Sequence, residues 1–361
     1  MVNLFGTQLR SFREDQSLSL MQLAEKVDVS KQMIHKYENG ERTPSTPTLI
    51  RISNALGKTP ADFFNSQMPN VEIGDINFRE EHKFPDSVGA LNIIVRACEE
   101  IIKNVIEVNG LVKNKMEFSN PLQDVFVKDK KDIEKAAKLI RKKWKLGYSP
   151  IKDVVELVED KGIIVVEIDD FSSDEFSGLS GFANEKIPFI VVNEDCGDVT
   201  RKRFTTLHEL AHLLISFSDG IPISKKEFLC DHFAGIVLLV DDALIDEIGR
   251  NRTNISMEEL VKIKEKYGIS VQAIIFKTHQ AGIIDYENYS SWWTKYKEWV
   301  DTHGNDCLGS YISKEKPRRL EKIVIQAIQE KLMNWHKATE VLRTSIDLLK
   351  PKLNHLTFSL E

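Results

Sequence analysis

His208 and His212 stand four residues apart, with Glu209 beside the first, in the run His208-Glu209-Leu210-Ala211-His212. On a helix that spacing puts both imidazoles on one face, where they can share a metal ion. Glu209 can then reach a water at that metal and serve as its base. The flanks Arg203-Phe204-Thr205-Thr206-Leu207 and Leu213-Leu214-Ile215 make the helix mostly apolar. Two histidines on a buried helix are costly unless paired or metal-bound. The pattern predicts a zinc centre; the alternative is a pair of hydrogen-bonded structural histidines.

The surrounding pattern is α/β. Residues 150–160 read as a helix, and Gly162 to Ile168 as a strand with a β-branched run. A hairpin follows, in which 179–183 pairs with 188–193 across 184–186. After the His208–His212 helix, another begins near Ser224 and carries Glu227, Phe228, Cys230, Asp231, Phe233 and Ala234. This order resembles the ImmA/IrrE family of metallopeptidases. The matching residues are Trp144-Lys145-Leu146-Gly147 before Pro150-Ile151, then Asn193, then Arg203 through His212, and Glu227 through Phe233-Ala234. The resemblance covers roughly residues 130–285 and its helix motif is specific. It implies a compact α/β zincin that cleaves a repressor-like protein.

Zinc chemistry asks for a third protein ligand and leaves the fourth position to water. Glu227 is the choice, and Asp231 shares its helix face. This resembles the glutamate zincins, in which an aspartate one turn after the ligand supports the first histidine; by that resemblance Asp231 orients His208. His232 is the alternative ligand, about 100° around the helix from Asp231. The implied mechanism is hydrolysis: the metal brings the pKa of its water toward about 7, and Glu209 takes the proton and delivers it to the leaving amine. Tyr267 and His279 are the guesses for a second oxyanion donor. An extended substrate would add as a strand beside the 179–193 hairpin. The chain departs from the family at Leu239-Val240-Asp241, where a methionine-proline pair is common, and at Cys230, where alanine is typical.

Residues 3–66 read as five short helices. Leu4, Leu9 and Phe12 mark the first, and Leu20, Leu23, Ala24 and Val27 the second, capped by Ser19. The third runs Lys31 to Glu38 between the cap Ser30 and the stop Asn39-Gly40. Pro44 and Pro47 frame a fourth, and Thr59-Pro60 open a fifth containing Phe63 and Phe64. Two short helices across a tight turn suggest a helix-turn-helix. The stretch resembles the XRE family of phage-repressor-like DNA-binding domains, through Leu23-Ala24-Glu25-Lys26, Ser30 and Tyr37-Glu38-Asn39-Gly40 followed by Pro44. The third helix of that fold enters the major groove. With Ile34 and Tyr37 in the core, Lys31, Gln32, His35 and Lys36 are left outside. Gln32 suits an adenine edge, Lys31 and Lys36 suit guanine or phosphate, and Ser30 and Arg42 are phosphate contacts. The alternative is a helical bundle that binds protein. Residues 1–66 hold eight Lys/Arg against seven Asp/Glu; so weak a surplus fits two half-sites and a homodimer better than a lone binder.

Between 67 and 127, apolar residues from Val88 to Val108 recur at helical spacing, as in a dimer arm, a spacer or a helix packed on its neighbour. Lys130 to Lys145 is a helix with a basic face that includes Arg141, either solvated or a second polyanion surface. Helices at 258–267 and 270–281 belong to the family's helical end. The aromatic run Trp292 to Trp299 fits a core or interface better than base stacking. Two amphipathic helices close the chain.

The expected architecture is multidomain and mainly α with an α+β core. It comprises a five-helix lambda-repressor-like domain (1–66), a helical connecting segment (67–127), a zincin-like α+β domain (128–285) and a C-terminal helical module (286–361). The chain has 361 residues, a net charge of −6, and four cysteines without a C-x-x-C pair. These argue against a wholesale polyanion binder and for reduced thiols. Without a signal peptide or an apolar run of membrane length, a cytoplasmic location is expected. The expected function is a regulator that binds operator DNA, the double-stranded kind, and whose zinc endopeptidase domain cleaves a repressor or toxin partner. The connecting segment is the natural target for cleavage in cis. The competing function is a non-catalytic antitoxin or repressor built on the zincin scaffold. A third is a peptidase whose first domain only docks repressor proteins.

Overall fold

The computed structural model describes residues 4–16, 18–63, 73–77, 88–113, 117–169, 176–194, 197–304 and 308–357. The chain divides into two compact units. One comprises Met1–Asn70, Lys103–Lys115 and Leu320–Glu361; the other comprises Val71–Ile102 and Met116–Arg319.

The first unit opens with α1 (Leu4–Asp15), α2 (Leu20–Lys26), α3 (Lys31–Glu38) and α4 (Thr46–Ala55). Ser19 and Gln22 form a reciprocal capping box at α2. Ser30 caps α3 by accepting from the Met33 N–H at 3.1 Å. Gly40, at φ 71°, closes α3, and the Glu41 N–H returns to the Lys36 carbonyl at 2.9 Å. Leu9, Leu23, Val27, Ile34, Ile52 and Leu56 fill the core. Phe63 seals it, its ring centroid 5.4 Å from Phe5 and 5.2 Å from Phe12. The expected fifth helix is a single 3-10 turn, Pro60–Phe63; a four-residue segment opened by proline closes i→i+3 bonds rather than α-turns. Phe64 lies outside the described residues. Arg13 and Glu38 fasten α1 to α3 through bonds of 2.6 and 3.0 Å.

The second unit contains a four-stranded sheet. Its strands are β1 (Ile73–Asn77), β3 (Ile164–Ile168), β4 (Gly178–Ala183) and β5 (Ile187–Asn193), in the order β1-β4-β5-β3. β4 and β5 form the expected hairpin, turned by Asn184 and Glu185 at positive φ. β3 pairs parallel to β5, and β1 pairs antiparallel to β4. A strand at 73–77 corrects the helical expectation for part of 67–127. Ile-Gly-Asp-Ile-Asn has little strand patterning of its own; pairing with β4 supplies the structure. The next helix, α5 (Val88–Leu111), buries a stripe of Ile94, Cys98, Ile102, Val105 and Val108. Cys98 and Cys230 are free thiols, while Cys196 and Cys307 lie outside the described residues.

The helices of this unit include α6 (Lys130–Lys143), α7 (Val154–Asp160), which packs on β3, α8 (Val199–Leu214) and α9 (Ile223–Leu238), and two-residue strands β2 (Phe126–Val127) and β6 (Ser216–Phe217) pair in parallel. α8 lies against β4, β5 and α9, and α6 packs on α9. Leu207, Leu210, Ala211, Ile190, Leu229 and Phe233 belong to one core. Arg203, fully buried, anchors α8: it pairs with Glu315 and donates to the carbonyls of Ile151 at 2.7 Å and Gly268 at 3.0 Å. Gly268 sits at φ 63°, and a Cβ there would stand 2.5 Å from Arg203 Nε. Arg141 corrects the basic face expected on α6. It is buried and donates to the carbonyls of Gly147, Ser149 and Val237, while Lys131, Lys135, Lys138 and Lys142 stay exposed.

α10 (Asp241–Ile248), α11 (Met257–Tyr267), α12 (Val271–Gln280) and α13 (Tyr286–His303) complete this unit. α10 lies where no helix was expected. Trp292 is buried in the core, with Trp293 and Tyr296 packed against it. The chain ends with α14 (Arg319–Gln329), α15 (Trp335–Val341) and α16 (Ile346–Thr357), three helices where two were expected. Arg343 at positive φ, between Val341 and Ile346, makes the extra break. Among the described residues no helix is long and apolar enough to cross a membrane.

Candidate metal centre

α8 and α9 bring His208, His212 and Glu227 together, with one ligand atom from each lying within 4.8 Å of the others. His208 Nε2 is 3.1 Å from Glu227 Oε2 and 3.1 Å from His212 Nε2. His212 Nε2 is 3.3 Å from Glu227 Oε1. On its other side, His208 Nδ1 lies 2.7 Å from Asp231 Oδ1. A carboxylate only accepts, so the Nδ1 proton points at Asp231 and the Nε2 lone pair points inward.

These residues fit a divalent metal. Three electron-rich atoms converge, which is unfavourable unless a proton or a cation lies among them. Ligands about 2.1 Å from a tetrahedral zinc ion stand about 3.4 Å apart, close to the observed spacings. Two imidazoles and one carboxylate, with an aspartate behind the first imidazole, form a set suited to zinc. Burial pushes the Glu227 carboxyl up, but the adjacent imidazoles of His208 and His212 outweigh it and hold the group well below the usual carboxylate range.

Glu209 is buried one residue from His208, and the Ser180 hydroxyl donates to its Oε2 at 3.0 Å. Gly178 lets α8 approach β4 closely: a Cβ there would stand 2.6 Å from Thr205 Cγ2 and 3.3 Å from Glu209 Cγ. Sequence reasoning missed both residues. Gly178, Ser180 and Gly181, small residues inside one strand, were the available signal. Cys230 Sγ lies 3.8 Å from His212 Nδ1. His232 turns toward Glu134 at 3.5 Å and stacks on Phe228, outside the ligand cluster. The Tyr267 hydroxyl donates to Glu247, and His279 stacks on Tyr289.

A cavity of about 1430 Å³ adjoins the centre rather than enclosing it. Asp231 lines it, with aromatic walls that include Phe204, Phe228, Phe276, Trp293 and Tyr296, but His208, His212 and Glu227 do not.

In the first unit, Lys31, Gln32, His35 and Lys36 are exposed on α3 while Ile34 and Tyr37 are buried. Ser30 and Arg42 are also exposed. The Ser30 oxygen accepts from the Met33 N–H, so its own O–H can still donate to a phosphate. His35 lies 3.1 Å from the Asn39 side-chain amide.

Two family models match the chain: a helix-turn-helix at residues 9–63 and the IrrE N-terminal-like domain of the M78 peptidases at residues 158–279. The chain thus joins an XRE-type helix-turn-helix to an IrrE N-terminal-like domain. No curated protein matches it. Among solved structures, apo ComR from S. thermophilus is 13% identical, with 95% of this chain and 100% of that one covered and a TM-score of 0.18. ComR from S. thermophilus in complex with DNA and its signalling peptide ComS is 12% identical, with 98% and 99% covered and a TM-score of 0.17. Apo ComR from Streptococcus vestibularis is 13% identical, with 92% and 99% covered and a TM-score of 0.17.

Proposed function

We propose that the chain is a DNA-binding transcriptional regulator whose second unit is a zinc-dependent endopeptidase acting on a repressor-like or toxin partner. The convergence of His208, His212 and Glu227 beside Glu209 carries this proposal. A zinc ion held by those three residues supplies Lewis acidity, acidifying water and polarising a carbonyl. Glu209 takes the proton from the attacking water and returns it to the leaving nitrogen. Ser180 holds the Glu209 carboxylate in place, and Asp231 holds the ring of His208. On DNA, Gln32, Lys31, His35 and Lys36 face the major groove while Ser30 and Arg42 hold phosphates. A homodimer on two half-sites offsets the small charge of the domain.

One observation favours the non-catalytic alternative, an operator-binding antitoxin or repressor that uses the zincin fold as a scaffold: Glu209 is only 1% exposed. Metal content of the purified protein and three variants separates the two. About one zinc per wild-type chain, lost in His208→Ala and Glu227→Ala, is expected. Glu209→Gln should keep zinc and lose cleavage of the partner. If Glu209→Gln retains the full biological effect, the scaffold role replaces the peptidase; a wild type that takes up no zinc sinks the metal centre itself.

A further inference from the structure

The sheet edge beside Glu209 is already filled. β4 lies between β5 and β1, with Ile76 opposite Gly181 and Asn77 opposite Ser180. Ser180 is the residue whose hydroxyl donates to Glu209. Paired strands run about 4.8 Å apart, so the chain's own backbone at Asn77 passes one strand spacing from the residue that touches the base. An extended polypeptide docks on a sheet through the free N–H and C=O groups of an edge strand. On β4 that side of the backbone is paired with β1.

We propose that the outer edge of β4 is a docking edge for an extended polypeptide at the metal centre, and that residues 73–77 of the chain itself occupy it in cis. A partner segment gains the edge only by displacing them. That this edge serves hydrolysis rests on the peptidase function proposed above; the occupancy does not.

β1 is built to be displaced. It has five residues and, among the described strands, one neighbour, and its register slips between Ile73 and Ile76. Gly74, Asp75 and Asn77 are poor strand formers. Its hold comes from tethering, which presents a segment to its own site at an effective concentration in the millimolar range. β1 also begins three residues after Asn70, the end of the first unit's N-terminal segment. One stretch of chain therefore both covers the edge and leads to the helix-turn-helix.

The test is hydrogen exchange of the full-length, zinc-loaded protein, comparing wild type with the Ile76→Pro/Asn77→Pro variant. Successive strand N–H groups alternate sides, so one of these two residues donates toward β4 and proline removes that bond. In the wild type, the β4 amides facing β1 should exchange at least about 100-fold more slowly than in the variant, with β5 amides alike in both. A synthetic peptide of residues 70–79, added at millimolar concentration, should restore protection in the variant and leave the wild type unchanged. Fast exchange of those β4 amides in the wild type overturns the proposal without reference to any variant. Equal protection in both proteins also overturns it. Protection in a wild type that binds no zinc upholds the occupied edge and defeats only the peptidase.

Discussion

At the scale of single residues, Asp231 has the most informative position. It binds no metal in this arrangement, yet its oxygen lies 2.7 Å from His208 Nδ1 and fixes which nitrogen faces Glu227 and His212. Its side chain is 39% exposed, so removing it costs little in core packing and reads out orientation of the histidine. Asp231→Ala should weaken zinc binding about 10–100-fold, as loss of such a supporting carboxylate does. Competition against a chromophoric chelator measures this, with Glu227→Ala as the reference for loss of a direct ligand. Unchanged affinity in Asp231→Ala would mean that the ring is held by its packing alone. The resemblance to the glutamate zincins pointed to Asp231 beforehand, and helix spacing added that Glu227 and Asp231, four apart, share a face. Ser180 was not legible, because its contact with Glu209 joins residues 29 apart across a strand–helix packing that no local pattern encodes.

Among elements, α8 depends on its first turn. Asp198 caps it by accepting from the Thr200 N–H at 2.8 Å and pairs with Lys264 at 2.8 Å. Burial pushes the Asp198 carboxyl up, but Lys264 and Thr200 outweigh it and lower its pKa. A lowered folded-state pKa contributes stability that is present above the ordinary aspartate value and lost as pH falls through the depressed one. Asp198→Ala should therefore cost about 1–2 kcal/mol at neutral pH, and its difference from wild type should shrink below about pH 4. Urea unfolding followed by tryptophan fluorescence suits the test, because four of the five tryptophans, Trp144, Trp292, Trp293 and Trp299, lie in the second unit. A difference that persists unchanged at pH 3 would contradict the ionic part of the cap. The elements that were readable in advance, α3, α8, α9 and the β4–β5 hairpin, carry their own periodicity, caps and turns. β1 could not be read, because its partner strand lies about a hundred residues away in the chain. α10 was legible only in part: Asp241 and Asp242 occupy a helix first turn, where acidic residues belong, but no side chain caps it. Arg141 misled a charge-based reading because its backbone-carbonyl partners come from distant or irregular segments.

For the whole molecule, the question is how a chain of net charge −6 holds a polyanion. Each phosphate neutralised by a cation releases counterions and adds about 0.9 to the steepness of the fall of log K with log salt. With one surplus positive charge in residues 1–66, few such contacts are available per subunit, and α3 should supply them. Lys31→Ala and Lys36→Ala, measured by operator titrations across a salt series, should each reduce that slope by about 1 if the lysine contacts phosphate. Gln32→Ala should leave the slope unchanged and lower discrimination at one base position by about 1–3 kcal/mol. The exposed lysines of α6 are the internal control. Lys131 and Lys135 lie in the second unit, where Asp132 is 3.3 Å from Lys135, and a solvated face predicts that Lys131→Ala/Lys135→Ala keeps the wild-type slope. A slope reduced by that pair as much as by the α3 lysines would make α6 a second DNA contact and distribute binding over both units. An unchanged slope in all the lysine variants would remove α3 from the interface and return the first unit to protein binding.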